Sequence, residues 1–311
     1  MTTPAESTPT PPPAPGLPPV TPPSGRFIAQ LFLVPGMIVA VAVLIILGIN
    51  YLFIGGYTPA YFLGKLDSDN FDIRWRGASD LAQHIKRSES KHLKADATFA
   101  LDLADRLRKA LDDLDQTEQK LAEKIAKLPQ ADQEKEWSKL TPKKKRDYVE
   151  FLSAALGDFY VPVGVPLLCE IVKREQGPDS SSNTMRRRRA IWALSNLGAH
   201  VQTFTKELSV EQQAKTLQQL HDELAGPQTE RRSYARTALH YLDKNKVPAN
   251  EPGLVLVDHA LADCAKSQDR FLRLQVAMAF NFWDGDRAEE TLVQLARDDG
   301  FGTLIRVAEG D

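Results

Sequence analysis

Four residues at helical spacing, Ala190, Ala193, Leu194 and Leu197, belong to a pattern that recurs along this chain. The recurrence constrains the fold more than any other feature. The four form one apolar stripe, and Gly198 behind them is expected to stop the helix by taking a left-handed conformation. The register from Arg187 to Leu194 returns from Arg232 to Leu239 and again from Arg273 to Phe280. Each copy sets an Arg seven residues ahead of a large apolar residue, with Ala immediately before that residue. Upstream, Arg74 to Leu81 keeps the Arg and the Leu but has Asp80 in place of the Ala, and Val149 to Leu156 keeps Ala155 and Leu156 without the Arg. The closing apolar positions, Leu81, Leu156, Leu194, Leu239 and Phe280, are 75, 38, 45 and 41 residues apart. A period of about 40 residues, one helix pair per unit, predicts an all-α solenoid of stacked helix pairs.

The Arg, the alanines and the closing apolar residue of these copies resemble the second helix of HEAT and HEAT-like repeats, which carries a Val-Arg-x-x-Ala-Ala-x-Ala-Leu type pattern. The resemblance spans about residues 66–300 and is carried by the three copies from 186 onward. It implies a HEAT-like α-solenoid over residues 71–311 and a role as a scaffold or adaptor for other proteins. HEAT-like folds also include DNA glycosylases and lyases acting on bilins, but this chain shows no residue cluster suited to either.

Before the repeats stand a leader and an apolar segment. Residues 1–26 form a proline-rich tail, with ten prolines in the first 25 residues and no aromatic side chain, a composition that cannot bury a core. No charged residue occurs from Phe27 to Gly64, and Val34 to Ile54 is long enough to cross a bilayer at ~1.5 Å per helical residue. A single transmembrane helix is therefore expected within 27–56, followed by a linker over 57–70. A cleaved signal peptide fits less well, because the apolar run is too long and its leader is proline-rich. Arg26 on one side against Lys65, Arg74 and Arg76 on the other favours a cytoplasmic repeat domain at the cell membrane.

The gap of 75 residues between Leu81 and Leu156 predicts a long helical insertion at about 90–140. Leu93, Ala97, Ala100, Ala104, Leu107, Leu111, Leu114, Glu118, Leu121, Ile125 and Leu128 alternate spacings of four and three, a heptad seam with Glu118 as its single polar position. That helix either folds back on residues 131–157 as a hairpin or pairs with a second copy as a homodimer through 93–128. Thr141 with Pro142 is expected to cap the next helix.

No nucleotide-binding, hydrolase or metalloprotease motif occurs, and no two of the six histidines have metal-ligand spacing, so neither an enzyme nor a cofactor is expected. The two cysteines, Cys169 and Cys264, lie among apolar helical residues and read as buried thiols. Asp284-Gly285-Asp286 reads as a turn between helices. One group of residues rises above this background. Second helices open on cations: Lys143, Lys144, Lys145 and Arg146; then Arg186, Arg188 and Arg189 around the repeat's own Arg187; then Arg231. Cations there oppose the helix dipole by ~0.3–1 kcal/mol each, so repeated clusters are expected to meet an anion on one continuous strip. Candidates are an acidic partner protein or anionic lipid. The formal net charge of −2 makes nucleic acid the less suitable ligand. Alternatively, the cations bond acids of neighbouring repeats, with Asp72, Asp179, Glu230 and Asp269 as candidates.

Overall fold

The computed structural model describes residues 33, 35–46, 57–140, 142–174, 180–243, 247–248 and 250–299. The chain divides into two units, Met1–Gly56 and Tyr57–Asp311. In the first, residues 35–46 are helical and every one is exposed, including Ile38 at 65 % and Leu44 at 67 %. Among the described residues no helix is long and apolar enough to cross a membrane. The 1–26 tail and the ends of the expected 27–56 span lie outside them.

The second unit is built from helices, and among its described residues there is no strand. Helix α1 (Pro59–Leu66) occupies what the sequence suggests is linker; Thr58 caps it, and Phe62 and Leu66 bury themselves against the domain. Helix α2 (Phe71–His84) starts at Asn70, whose side chain accepts from the Asp72 N–H. Helix α3 (Ala97–Ile125) is the insertion, ~44 Å long at 29 residues. Helix α4 (Gln130–Leu140) turns back, and α5 (Lys143–Gly157) follows. Pro142 stands at the cap of α5 itself rather than at its first helical position, with no side-chain cap bond; Thr141 lies outside the described residues. Then come α6 (Val165–Lys173), α7 (Ser180–Glu207), α8 (Val210–Leu224), α9 (Thr229–Leu242), α10 (Val257–Ala265), α11 (Arg270–Ala279) and α12 (Ala288–Asp299). The Ser209–Gln212 capping box is present in both directions, at 3.2 and 3.0 Å.

Helices α2, α5, α7 and α11 form one parallel row, each packed on the next. Trp75 meets Phe151, Gly157 meets Ala193, and Gly198 meets Phe282 and Trp283. Behind this row α3 packs on α5, α6 on α7 and α10 on α11, with α6 and α10 also in contact. Leu93 and the seam residues Ala97 to Leu114 are fully buried within the chain, so the hairpin arrangement holds there and no apolar stripe is left along that part of the seam.

Two expectations change. Gly198 does not stop its helix, because α7 runs on to Glu207. Gly198 is small for another reason: a Cβ there would sit 2.6 Å from Phe282 Cβ and 2.7 Å from Trp283 Nε1. The indole of Trp283 then donates to the Leu194 carbonyl at 2.8 Å. The second change concerns α9, which carries the repeat signature yet does not stand between α7 and α11. Those two pack directly on each other, and the α8–α9 pair forms a third layer over α3, the 3-10 turn Pro162–Gly164 and α6. Thr216 donates to the Ala95 carbonyl at 2.8 Å, and Gln219 Oε1 accepts from the Ala97 N–H at 3.2 Å, fixing that layer to the start of α3. The unit is thus an all-α stack with one repeat displaced, not a single run of consecutive pairs.

Cys169 and Cys264 are both buried and unpaired, and burial pushes the Cys169 thiol up to about 12. The Asp284–Asp286 turn is held by the buried Asp258 carboxylate, which accepts from the Arg287 N–H at 3.3 Å.

A cation lattice and an exposed apolar strip

The basic helix starts are drawn into the structure by carboxylates distant in sequence. Glu118, the one polar seam position of α3, accepts from Arg146 Nε at 2.7 Å and from Arg186 Nη2 at 2.9 Å. All three side chains are largely buried, with 17, 10 and 6 % exposed for Glu118, Arg146 and Arg186. One carboxylate therefore ties α3, α5 and α7 together, which accounts for a charge on an otherwise apolar stripe. Lys145 reaches Asp113 at 2.9 Å and Thr117 Oγ1 at 2.9 Å, and Lys144 reaches Asp72 at 2.7 Å across an exposed gap. Arg189 pairs with Glu150 on α5. Lys143 is exposed and makes no ion pair with a described residue.

Arg188 donates to both oxygens of Asp269, at 2.8 and 2.6 Å, joining α7 to α11. Asp269 also caps α11, accepting from the Phe271 N–H at 2.9 Å. Burial raises this carboxyl, but the Arg188 guanidinium and the Leu272 and Phe271 N–H groups outweigh it, so it titrates below its ordinary value. Arg187, the repeat's own Arg, donates Nε to the Val172 carbonyl at 2.8 Å and Nη2 to Cys264 Sγ at 3.2 Å. Arg231 belongs elsewhere: it binds Asp102 and, at 2.6 Å, Asp105 on α3, pinning the third layer. The structure brings Arg146 and Arg186 together on one acid and places Arg188 and Arg189 on the outer face of α7. Arg231 does not join them, so the eight cations do not line one strip. Of the acids named from sequence, Asp72 and Asp269 are partners, and Asp179 lies outside the described residues.

Sequence reasoning missed the feature that stands out on the row. Met185 (45 %), Trp192 (56 %), Phe271 (68 %) and Met278 (46 %) are exposed on α7 and α11. They fall into two matched columns of the repeat. Met185 and Phe271 lie nine residues before the closing apolar position, and Trp192 and Met278 lie two before it. In the other three copies the first column holds Asp72, Asp147 and Glu230, and the second Ser79, Ala154 and Thr237. Comparing columns rather than reading each helix alone would have exposed the difference. The Arg188 guanidinium lies over the Phe271 ring at 5.4 Å, so the strip is braced at the α7–α11 junction. Beside Trp192 opens a groove of about 270 Å³ lined by Phe151, Ala154 and Ala82, with the cations Lys86 and Arg189 and the acids Glu150 and Asp158 around it. Lys86, just beyond the end of α2, is exposed, as is Arg76 on α2 itself, and neither makes an ion pair with a described residue.

Among the described residues no group of three or more His, Cys, Asp and Glu side chains could hold a metal ion. Comparison with protein-family models, with curated proteins and with solved structures finds no match to this chain.

Proposed function

We propose that this chain is a membrane-tethered adaptor: a HEAT-like helical array on a single-pass anchor within residues 27–56 that holds a partner protein against the strip around Trp192. The strip is the observation that carries the reading. Exposed apolar side chains grouped on one face mark interaction surfaces, and Trp is among the residues enriched at binding hot spots. The partner segment presents apolar side chains to Trp192 and Phe271 and an acidic one to Lys86, the cation lining this groove that no described carboxylate matches. The tether is supported by the uncharged run from Phe27 to Gly64 and by helix 35–46, whose apolar side chains are exposed. The excess of Lys65, Arg74 and Arg76 over Arg26 supports a cytoplasmic array.

The test uses the full-length chain expressed in membranes. It is expected to resist carbonate extraction, and proteins cross-linked to it are to be identified by mass spectrometry. Trp192→Ala removes an exposed side chain, so the helical spectrum and melting temperature stay within a degree or two while recovery of the specific partner falls at least tenfold. An unchanged partner set would sink the adaptor surface, and extraction by carbonate would sink the tether.

A further inference from the structure

A cleft of about 580 Å³ opens between α1, α2, α3 and α5, away from the strip around Trp192. Four cations and three carboxylates line it, and the carboxylates are already matched. Asp67 takes both Nε and Nη2 of Arg106, at 2.9 and 2.5 Å. Asp113 takes Lys145 at 2.9 Å, and Asp105 takes Arg231 at 2.6 Å. Arg74 and Lys109 remain. Neither makes an ion pair with a described residue, and Arg74 Nε is buried without a hydrogen-bond partner while its guanidinium lies over the Phe71 ring at 5.3 Å. Tyr148, 7 % exposed, also faces the cleft, close enough to Arg74, Arg106 and Asp67 to feel all three charges.

At the same column of the other repeats Arg187 bonds the Val172 carbonyl, Arg232 bonds Thr229 Oγ1 at 3.1 Å and Arg273 bonds the Ser267 carbonyl at 2.5 Å. Among the described residues Arg74 alone of these four makes no such bond, and it lines a cleft. We infer that this cleft binds a phosphate group, with Arg74 and Lys109 supplying the charge and Tyr148 a hydroxyl donor. A phosphate monoester carries a charge of about −1.5 to −2 and three acceptor oxygens. It therefore matches two unpaired cations and a hydroxyl, where a carboxylate would match one cation. The volume is in the range of small-ligand sites, about 300–1,000 Å³. The phosphate can belong to a free solute or to a lipid headgroup, and the chemistry at Arg74 is the same.

The experiment titrates the full-length chain, held in neutral detergent, with inorganic phosphate by calorimetry, and separately with micelles doped with phosphatidic acid or with phosphatidylcholine. Binding of inorganic phosphate is expected, weakened about tenfold or more by Arg74→Gln and by Lys109→Gln and unchanged by Lys144→Gln, whose lysine pairs with Asp72. Tighter binding to phosphatidic acid micelles than to inorganic phosphate identifies a lipid source, and equal or weaker binding identifies a soluble one. Should Arg74→Gln unfold the chain, Lys109→Gln decides, because Lys109 is exposed. No binding of phosphate or phosphatidic acid, undiminished binding by folded variants, or equal binding of acetate would overturn the assignment.

Discussion

Helices α7 and α9 carry the same signature, Arg187 to Leu194 and Arg232 to Leu239, yet they occupy different places. Helix α7 stands in the parallel row between α5 and α11, while α9 lies in a separate layer over α3 and α6. In both, the signature does the same local work: the Ala and Leu columns are buried, with Leu194 and Leu239 at 0 % exposure. What differs is the flank. Helix α7 offers Ala193 to Gly157, where an added Cβ would come within 2.8 Å of backbone, and Gly198 to the Trp283 indole, so helices approach on both sides. Helix α9 offers the bulky Tyr234 at 3 % exposure, and Arg231, whose acids all lie on α3 and α8. The repeat pattern specifies an amphipathic helix; small residues and distant acids choose its neighbour.

The largest effect breaks that comparison at its shared column. Leu194→Asp and Leu239→Asp each bury an unpaired carboxylate and cost several kcal/mol. The first strikes the middle of the row and is expected to abolish cooperative unfolding of the whole unit. The second is expected to release α8 and α9 first, seen as loss of amide-exchange protection confined to residues 210–242. Loss of protection across the whole unit in Leu239→Asp would show that the third layer is as integral as the row.

A smaller effect separates the ionic ties of the two regions. Glu118→Leu leaves Arg146 and Arg186 buried without this acid, at a cost of about 3–5 kcal/mol. Arg231→Gln frees Asp102 and Asp105, which are about a quarter exposed and can be rehydrated, so about 1–2 kcal/mol is expected. Denaturant midpoints measure both, and the reverse order would place the main ionic tie in the third layer.

These pairs also explain what was legible in the sequence. Helices and their caps are written within a few residues: Ser209 with Gln212, Asn70 with Asp72, and the buried columns around Leu194 all follow from local pattern. The roles of the cations are not local. Arg186 meets an acid 68 residues away and Arg231 one 129 away, so a run of four arginines reads as an open anion site until the fold supplies Glu118, Asp269 and Glu150. Gly198 was ambiguous in the same way, since a helix stop and a close approach both call for a missing Cβ. The cleft at Arg74 was hidden because its signal is a partner that fails to appear.

The smallest effect tests whether the row's outer junction depends on charge. Asp269 joins α7 to α11 through Arg188, and Glu170 joins α6 to α3 through Arg108 at 2.9 and 2.5 Å. Burial raises both carboxyls and their arginine partners more than reverse it, so both titrate below their ordinary values. A carboxyl held low in the folded state contributes stability above its unfolded pKa of about 4 and loses it as pH falls through the folded value. Both ties therefore weaken from about pH 5 downward and are at full strength at neutral pH. Asp269 is 19 % exposed and supports about 1 kcal/mol or less; Glu170, at 37 %, is screened by water and supports less. Asp269→Asn isolates the charge, because the amide oxygen can still accept from the Phe271 N–H and cap α11. Urea titrations from pH 7 to pH 3 should show the variant less stable at pH 7 and converging on the parent as the pH drops. A constant difference across that range would mean that Asp269 acts as a cap alone, with α7 and α11 held by Trp283 and the packing around Gly198.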